Sequence, residues 1–379
     1  MIWSGWGMIE PTFVIAEAGV NHNGDPDLAL ALVDAAARAG ADAVKFQTFR
    51  ADSLVTAAAQ KAAYQKRSTA NEEGQYEMLR RLELSPAMHV AIAKHCVLRG
   101  IRFLSTPFDH ESLDFLVDTM GLRTIKLSSG EVTNGPLLLH AIRKADHLIL
   151  STGMSTLGEV EEAVRLLAWG LNSTEAHPVS RRKLQAFQLS ECVLARLRER
   201  LTLLHCTTEY PAEYADANLR AMATMRESWR IPIGLSDHTP GIAIPLAAVA
   251  CGATVVEKHF TLDRGLPGPD HMASLEPGEL QAMVAGIRAI EAALGDGVKR
   301  PSPAELANRV AARKSLVAAR PVRKGEQLTE ADIVAKRPGG GLSPMWIWDV
   351  IGRSAEHDLS LDDPIGLVPA GASGEVTEP

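Results

Sequence analysis

The chain alternates eight short apolar runs with helical segments, and this alternation limits its fold more than any other feature of the sequence. The runs are rich in β-branched and large apolar residues, and each ends before a segment with apolar residues at positions i, i+3, i+4 and i+7. They cover residues 13–19, 43–49, 101–108, 124–131, 147–153, 201–207, 231–238 and 255–261. Eight strand–helix units within roughly 290 residues predict an α/β fold, a (β/α)8 TIM barrel.

Helix-boundary signals support this prediction. The segment 85–100, SPAMHVAIAKHCVLRG, opens with Ser85 as N-cap and Pro86 at the first helical position. Three glycines follow helical segments as C-terminal caps, and they are Gly40, Gly100 and Gly252. The last barrel helix is expected at 279–294. A doubly wound open sheet is the alternative, and it explains less because no GxGxxG turn follows a predicted strand.

Composition excludes several classes of protein. No apolar run reaches the length of a membrane span, and the first residues lack the basic and apolar segments of a signal peptide, so we expect a cytoplasmic protein without a membrane partner. A net charge of -7 without a basic cluster argues against nucleic-acid binding. The four cysteines form no CxxC pair, which argues against a disulfide framework and a zinc ribbon.

Polar side chains gather at the C-terminal ends of the predicted strands, whereas the strand beginnings are apolar. They are Glu17, Lys45, Gln47, Ser105, Thr106, Lys126, Ser129, Glu131, Ser151, Thr152, Thr207, Ser236, Asp237, His238, Glu257, Lys258 and His259. In a (β/α)8 barrel this end of the strands is the face on which active sites lie. A structural role would place polar residues at both ends, so the pattern predicts an active site.

Two lysines among these residues suggest an anionic ligand. Lys45 and Lys126, with hydroxyl groups beside them, predict a pocket for a phosphate and a carboxylate, because ammonium groups and hydroxyls supply charge and hydrogen bonds together. The hydroxyl groups are those of Ser129, Ser151 and Ser236. The alternative is a structural ring in which the lysines form salt bridges with Glu17 and Glu131.

Two histidines, His238 and His259, lie at the tips of the seventh and eighth predicted strands, which are neighbours in the barrel. Neutral imidazoles at adjacent strand ends are suitable ligands for a divalent metal with open coordination positions. The alternative is a pair of histidines whose hydrogen bonds are satisfied within the core. Their adjacency favours the metal site.

Eight stretches of the chain resemble successive motifs of the N-acetylneuraminate (sialic acid) synthase family. They are IAEAGVNHNGD, KFQTF, FLSTPFD, KLSSGEVTNGPLL, ILSTGMSTLGEVEEAV, LLHCTTEYPA, GLSDHTPG and VEKHFTLDRGLPGPDH. The tail, RKSLVAARPVRKGEQLTEADIVAKRPGGGLSP and VIGRSAEHDL, is similar to the antifreeze-like (SAF) domain that this family carries after its barrel. The resemblance implies a TIM barrel followed by a small β-rich domain of the β-clip type.

The family condenses phosphoenolpyruvate with an N-acetylated amino sugar such as N-acetylmannosamine, and releases phosphate. The resemblance implies that His238 and His259 hold a divalent metal, Mn²⁺ or alternatively Mg²⁺ or Co²⁺. It implies a phosphoenolpyruvate site of Lys45, Lys126, Ser129, Ser151, Thr208 and Ser236. It implies a sugar site of Glu17, Gln47, Tyr210, Asp270 and Arg337. Glu131 is then the candidate acid or base, with Glu17 and Lys126 as further catalytic residues.

The expected domains are a synthase barrel at 1–295, a linker at 296–311 and the antifreeze-like domain at 312–379. The expected linker contains two prolines and polar residues, which suits a spacer between domains. The resemblance implies a domain-swapped homodimer in which Arg337 reaches the partner's active site.

Two departures from the family are visible. Thr208 occupies a position where family members often carry Asn or Ser, and the connection between Trp169 and Leu201 is longer than usual. We expect an elaborated surface helix in that connection, with a partner site as the alternative.

Four alternative functions share part of this pattern. A legionaminic or pseudaminic acid synthase, acting on a 6-deoxy-diacetamido hexose, is the nearest alternative. A 3-deoxy-heptulosonate-type aldolase lacks the second domain, and a metal-dependent barrel hydrolase commonly carries an HxH pair after its first strand. A non-catalytic ice- or sugar-binding protein has no need for lysines at strand ends.

Overall fold

The computed structural model describes residues 11–62, 65–66, 74–177 and 180–366. Residues 1–10, on which the expectation about a signal peptide partly rests, lie outside these ranges, as do residues 367–379 of the expected second domain. The chain divides into two compact units, Met1–Asp296 and Gly297–Pro379.

In the described part of the first unit, eight parallel strands form a near-closed barrel. They are β1 (Phe13–Gly19), β2 (Ala43–Thr48), β3 (Arg102–Pro107), β4 (Thr124–Leu127), β5 (His147–Ser151), β6 (Leu201–Cys206), β7 (Ile233–Asp237) and β8 (Val255–His259). The ladder runs in the order β3-β2-β1-β8-β7-β6-β5-β4, and its two edge strands, β3 and β4, lie in contact. The predicted (β/α)8 barrel is therefore confirmed.

Helices connect the strands. They are α1 (Pro26–Arg38), α2 (Ala51–Leu54), α3 (Gln75–Leu82), α4 (Pro86–Arg99), α5 (His110–Asp114), α6 (Gly135–Lys144), α7 (Leu157–Asn172), α8 (Arg181–Gln185), α9 (Glu191–Arg198), α10 (Arg220–Trp229), α11 (Ala243–Ala250) and α12 (Pro277–Leu294). A π-helical stretch, Phe115–Thr119, continues α5, and short 3-10 turns cover Ser129–Glu131, Tyr214–Asp216 and His271–Ala273.

Helix α4 shows how local sequence determines these boundaries. The Ser85 hydroxyl accepts the Met88 N–H at 3.2 Å, and Pro86 begins the helix, where a missing N–H carries no penalty. At the other end Gly100 has a φ of 68°, a left-handed conformation that glycine adopts without strain. Both predicted caps are present.

The long connection between α7 and β6 contains helices α8 and α9. Leu194 and Leu197 of α9 are buried in the main core, and the Arg165 guanidinium of α7 donates to the carbonyl of Phe187. The connection is thus attached to the barrel by apolar burial and by a hydrogen bond from a barrel-helix side chain to its backbone.

The barrel core has two parts. A large cluster fills the space between strands and helices, and a smaller one fills the lower interior of the barrel itself. The smaller cluster comprises Ile15, Ala43, Leu104, Ile149, Leu204 and Val255, with Phe13 packed against it. Fully burying a large aliphatic side chain of this kind contributes roughly 1.5–3 kcal/mol.

The second unit has its own small core. Its elements are α13 (Pro303–Ala312), β9 (Ser315–Ala318), β10 (Ile333–Lys336), α14 (Ile347–Val350) and 3-10 turns at Glu330–Asp332 and Pro344–Trp346. Strands β9 and β10 pair antiparallel, and Leu316, Val322 and Leu359 lie in the core beside them. Helix α13 lies within the segment that we expected to be a linker.

None of the helices in the described ranges combines the length and apolar character needed to cross a bilayer.

Candidate active site

Strand alternation places a polar layer directly above the apolar interior of the barrel. In six of the eight strands, the inward residue two positions after an apolar residue is polar or ionisable, because side chains i and i+2 face the same side. The pairs are Ile15 and Glu17, Ala43 and Lys45, Leu104 and Thr106, Ile149 and Ser151, Leu204 and Cys206, and Val255 and Glu257. The upper residues are all buried.

Lys45 is the most extensively paired group of this layer. Its Nζ lies 2.6 Å from Glu17 Oε2, donates to Thr106 Oγ1 at 3.0 Å and lies 3.8 Å from Glu257 Oε2. These partners come from β1, β3 and β8, so one ammonium group joins three strands across the barrel mouth.

Glu257 is a central residue that the sequence pattern placed at the active-site face, but to which the resemblance gave no role. Its Oε1 accepts the Ser236 hydroxyl at 3.0 Å and lies 3.6 Å from Lys126 Nζ, while Oε2 faces Lys45. It therefore contacts three groups of the expected phosphoenolpyruvate site. Its position at a strand end was a signal in the sequence, but its contacts depend on how the strands are staggered.

The ionisable groups of this layer differ in how burial and neighbouring charges shift their pKa values. Burial opposes the charge on Lys45, but Glu17 and Glu257 raise its pKa, so it stays cationic. Burial, together with the charge of Lys45, lowers the pKa of Lys126 despite the attraction of Glu257. Burial raises the pKa of Glu17 to about 7, which Lys45 only partly offsets. Glu17 is therefore a carboxyl group able to take up a proton near neutrality.

A group of hydroxyls and one backbone amide lies beside the lysines. The Gly153 N–H donates to Ser129 Oγ at 2.9 Å, and a Cβ on Gly153 would lie only 2.1 Å from Thr208 Oγ1. Only glycine fits there, because these side chains crowd its α-carbon. The Ser151 hydroxyl is buried without a hydrogen-bond partner. Because buried polar groups are almost always paired, an unpaired hydroxyl aimed into the mouth is typical of a ligand site.

Glu131 follows β4 in the 3-10 turn that also contains Ser129. The side-chain amide of Asn134 donates to Glu131 Oε2 at 2.6 Å, which fixes the carboxyl group. Burial raises its pKa, and the charge of Asp109 adds to this shift, whereas the Asn134 hydrogen bond opposes it. A carboxyl group with a raised pKa suits general acid–base chemistry near neutral pH.

The two histidines lie together as the sequence predicted, with ring centroids 5.2 Å apart. His238 Nδ1 donates to the Thr207 carbonyl at 2.7 Å, which leaves Nε2 with its lone pair. His259 Nδ1 is buried without a hydrogen-bond partner, and burial, reinforced by nearby cations, lowers the His259 pKa well below its usual value. The Tyr210 ring lies against His238, with ring centroids 4.1 Å apart and the ring planes tilted by 38°.

This donor set fits a divalent ion. Both imidazoles have a nitrogen available for coordination, and the carbonyl partner of His238 is the kind of second contact that orients metal-binding histidines. Among the described residues, no group of three or more His, Cys, Asp and Glu side chains is arranged to hold a metal. An ion bound by the two histidines would thus take its other ligands from substrate or water, as open catalytic sites do.

The expected sugar-binding residues of the barrel also converge. Glycine is required at position 19, with a φ of 53°, and a Cβ there would lie 3.2–3.6 Å from the side chains of Glu17, Gln47 and Asp270. Asp270 Oδ2 is in turn 3.8 Å from His259 Nδ1. This group therefore adjoins the histidine pair on one side and Lys45 on the other.

Arg337 lies in the second unit, immediately after β10. Its side chain is exposed, and it makes no hydrogen bond or ion pair with the residues that the structure describes. Every other residue of the expected site belongs to the barrel unit.

Comparison with known proteins gives a consistent result. The model of the family described as "NeuB family" matches residues 32–299, and that of the "SAF domain" matches residues 313–367. N,N'-diacetyllegionaminic acid synthase of Campylobacter jejuni is 44% identical over 94% of this chain and 99% of its own length. Pseudaminic acid synthase of the same organism is 32% identical, covering 93% and 94%.

A solved structure shares the fold and a third of the sequence. The crystal structure of N-acetylneuraminic acid synthetase from Leptospira borgpetersenii, in complex with citrate, is 33% identical to this chain. The match covers 79% of this chain and 90% of that one, with a TM-score of 0.63.

Proposed function

The chain belongs to the NeuB family of sialic, legionaminic and pseudaminic acid synthases, and we propose that it condenses phosphoenolpyruvate with a 6-deoxy-diacetamido hexose to form a legionaminic-type nonulosonic acid. Its relatives identify it as a condensing synthase that uses phosphoenolpyruvate. One observation supports this sugar over the others: identity is 44% to the diacetyllegionaminic acid synthase against 32–33% to the pseudaminic and sialic acid enzymes. N-acetylmannosamine, the first expectation from sequence, therefore ranks second.

The charged layer suits phosphoenolpyruvate. We assign the phosphate and carboxylate of phosphoenolpyruvate to Lys45, Lys126 and four hydroxyl side chains, because together they supply charge-assisted hydrogen bonds in a buried site. The hydroxyl side chains are those of Ser129, Ser151, Thr208 and Ser236. Thr208 keeps a hydroxyl beside Ser129, so it can replace the Asn or Ser of its relatives as a donor.

The sugar is assigned to the opposite side of the mouth. Gln47, Asp270 and Glu17 present amide and carboxyl groups to its hydroxyl and acetamido groups, next to Tyr210. His238 and His259 would hold a divalent ion, for which we propose Mn²⁺, and such an ion supplies Lewis acidity to the aldehyde oxygen of the sugar.

We assign the remaining chemistry to Glu131 and Lys126. When C3 of phosphoenolpyruvate attacks the aldehyde carbon, C2 becomes an oxocarbenium ion that water must trap before phosphate leaves by C–O cleavage. Glu131, fixed by Asn134, is placed to stabilise that cation and to accept the water proton. Lys126, with its lowered pKa, is a suitable proton donor to the departing phosphate.

The activity test is a panel of sugars assayed with phosphoenolpyruvate. Phosphate release should require both substrates, with kcat/KM at least tenfold higher for the hexose of the legionaminic series than for N-acetylmannosamine or the pseudaminic series. Release of phosphate without a sugar would contradict a synthase, and a preference for N-acetylmannosamine would contradict the proposed substrate. Loss of turnover on chelation, with recovery on adding Mn²⁺, tests the metal.

We further propose a homodimer in which Arg337 of one subunit binds the sugar's acetamido group in the other. In the second unit, Met345, Trp346 and Trp348 are exposed, with 75%, 46% and 76% of their surface accessible. Large exposed apolar side chains of this kind mark interaction surfaces. Exposed free thiols, Cys192 and Cys251, favour the reducing cytoplasm as its location.

Complementation tests the shared site. Lys126→Ala and Arg337→Ala chains carrying different tags would be co-expressed and the mixed dimer purified. If Arg337 acts across the interface, one site of the mixed dimer is intact and activity should return to about half that of wild type. Activity at the level of the parent variants, or a fully active monomer, would contradict the proposal.

A further inference from the structure

Behind the two histidines, on the outer side of the barrel, lies a buried ion pair that the proposed chemistry does not use. Asp237 ends β7 and precedes His238, and Lys258 precedes His259 in β8. The two residues are direct neighbours in the β7–β8 ladder. Because side chains alternate, they point away from the interior, where Ser236 and Glu257 form the neighbouring pair.

Hydrogen bonds join the ion pair to Thr239, the residue after His238. Lys258 Nζ lies 2.5 Å from Asp237 Oδ2 and also donates to the Thr239 carbonyl. The Asp237 carboxylate accepts from Thr239 through its N–H at 3.2 Å and through its hydroxyl at 2.9 Å. The residues on both sides of His238 are therefore tied to the residue before His259.

This arrangement is an inefficient way to stabilise a barrel. The side chains of Lys258 and Asp237 are 0% and 3% exposed, so both charges are fully desolvated. Buried ion pairs often contribute no more to stability than apolar residues of similar volume, whereas they demand a fixed geometry. Because His238 and His259 directly follow Asp237 and Lys258, an ion pair that fixes these two strand ends also fixes the relative position of the two histidines.

We propose that Asp237, Lys258 and Thr239 form a positioning unit that sets the relative placement of His238 and His259 and thereby the affinity of the site for a divalent ion. The inference depends on the proposed role of the histidines as ligands. Lys258 acts through the histidines only, since its ammonium group has no lone pair and lies on the outer side of the strand.

The test measures metal binding by the full-length, substrate-free protein. Mn²⁺ affinity would be determined by calorimetry and by the electron paramagnetic resonance of free and bound Mn²⁺, for wild type, His259→Ala and Lys258→Met. Changes in residues that orient metal ligands typically weaken binding by about 10–100-fold, and we expect a loss of that size for Lys258→Met. His259→Ala should abolish binding.

A matched control lies at the opposite end of the barrel. Arg288 pairs with Asp42 at 2.7 Å and donates to the Thr12 carbonyl at 2.8 Å, far along the strands from the histidines. Arg288→Met should lower Tm and leave Mn²⁺ affinity within about twofold. Unchanged Mn²⁺ affinity in Lys258→Met, or an equal loss in Arg288→Met, would overturn the positioning role.

Two further variants guard against misfolding. Lys258→Met leaves Asp237 as an uncompensated buried charge, so the double variant Asp237→Leu with Lys258→Met removes both charges together. Thr239→Val removes only the hydroxyl donor. Both should fold and still bind Mn²⁺ more weakly than wild type. Wild-type Mn²⁺ affinity in either variant would contradict the positioning role but not the metal site. If the wild-type protein binds no Mn²⁺, the metal site itself is contradicted.

Discussion

The two layers inside the barrel are built from the same strands, two residues apart, and have opposite chemistry. The lower layer contains only apolar side chains, among them Ile15, Ile149 and Leu204. The upper layer contains Glu17, Lys45, Lys126 and Glu257, equally buried but charged or ionisable. The comparison suggests two tasks along these strands: the lower layer stabilises the fold, and we infer that the upper layer binds a ligand at a cost in stability.

Energetics support this separation. Apolar burial in the lower layer is favourable without partners. In the upper layer, contacts with neighbouring groups must offset the desolvation cost of each charge. The contacts of Glu257 with Lys45 and Lys126, at 3.8 and 3.6 Å, are too long for strong hydrogen bonds. Lys126, whose ammonium group lies 3.6 Å from Glu257, therefore remains open to an anion that offers a shorter contact.

The largest effect is expected at Glu131, just above the upper layer. Glu131→Gln keeps the shape and the contact with Asn134 but removes the group that accepts a proton, so kcat should fall by about 10²–10⁴-fold. Tm should change little. Steady-state kinetics with both substrates, together with thermal unfolding, measure the two effects, and a kcat near that of wild type would remove Glu131 from the chemistry.

The next largest effect is expected in the lower layer. Leu204→Ala removes a fully buried side chain from the barrel interior and should destabilise the protein by about 2–5 kcal/mol, with KM for phosphoenolpyruvate unchanged. Denaturant unfolding and kinetics at a temperature where the variant is folded check both parts. A raised KM with unchanged stability would reverse the roles of the layers.

A pH dependence sharpens the comparison. Because burial raises the pKa of Glu17 to about 7 from 4.5, the folded state binds more protons than the unfolded state between these values. The free energy of unfolding therefore falls as pH rises through this window, by on the order of 1–3 kcal/mol from this group. Urea unfolding with EDTA at pH 5, 6 and 7 should show a smaller slope for Glu17→Gln than for wild type. Equal slopes would show that Glu17 ionises as it does in the unfolded chain.

The smallest effect is expected on the surface of the long connection. Arg181 of α8 pairs with Glu162 at 2.7 Å, but 74% of its side chain is exposed. Arg181→Ala should change the free energy of unfolding by less than about 1 kcal/mol and leave both KM values unchanged. A clear effect on catalysis would instead give this connection a role at the active site.

The fold and the composition of the upper layer were predictable from sequence. The alternation of apolar runs with helical segments, and helix caps such as Ser85 and Gly100, are local signals, and they predicted the barrel. Polar strand ends indicated Lys45 and Lys126 because every such end meets at one face.

The partners within that layer were not predictable. Glu257 lies between Lys45 and Lys126 because of the stagger between neighbouring strands, and this stagger is not encoded in the sequence pattern of any single strand. The bond between Lys258 and Asp237 depends in the same way on the register of β7 and β8. Helix α13 was not predicted because the two prolines of this segment suggested a spacer, although Pro303 stands at the first turn of the helix, where a helix accepts it.

The most direct test of the separation measures both properties in one variant of the upper layer. Calorimetric titration of phosphoenolpyruvate into wild type and Lys126→Met, with denaturant unfolding of each, compares ligand binding and stability. Lys126→Met retains much of the apolar stem and loses the charge, so affinity should fall by about 10–150-fold, equivalent to about 1.5–3 kcal/mol. Stability should fall by much less than in Leu204→Ala, because burial already opposes the charge of Lys126 and Glu257 keeps its contacts with Ser236 and Lys45. Undiminished affinity, or a loss of stability as large as that of Leu204→Ala, would contradict the account.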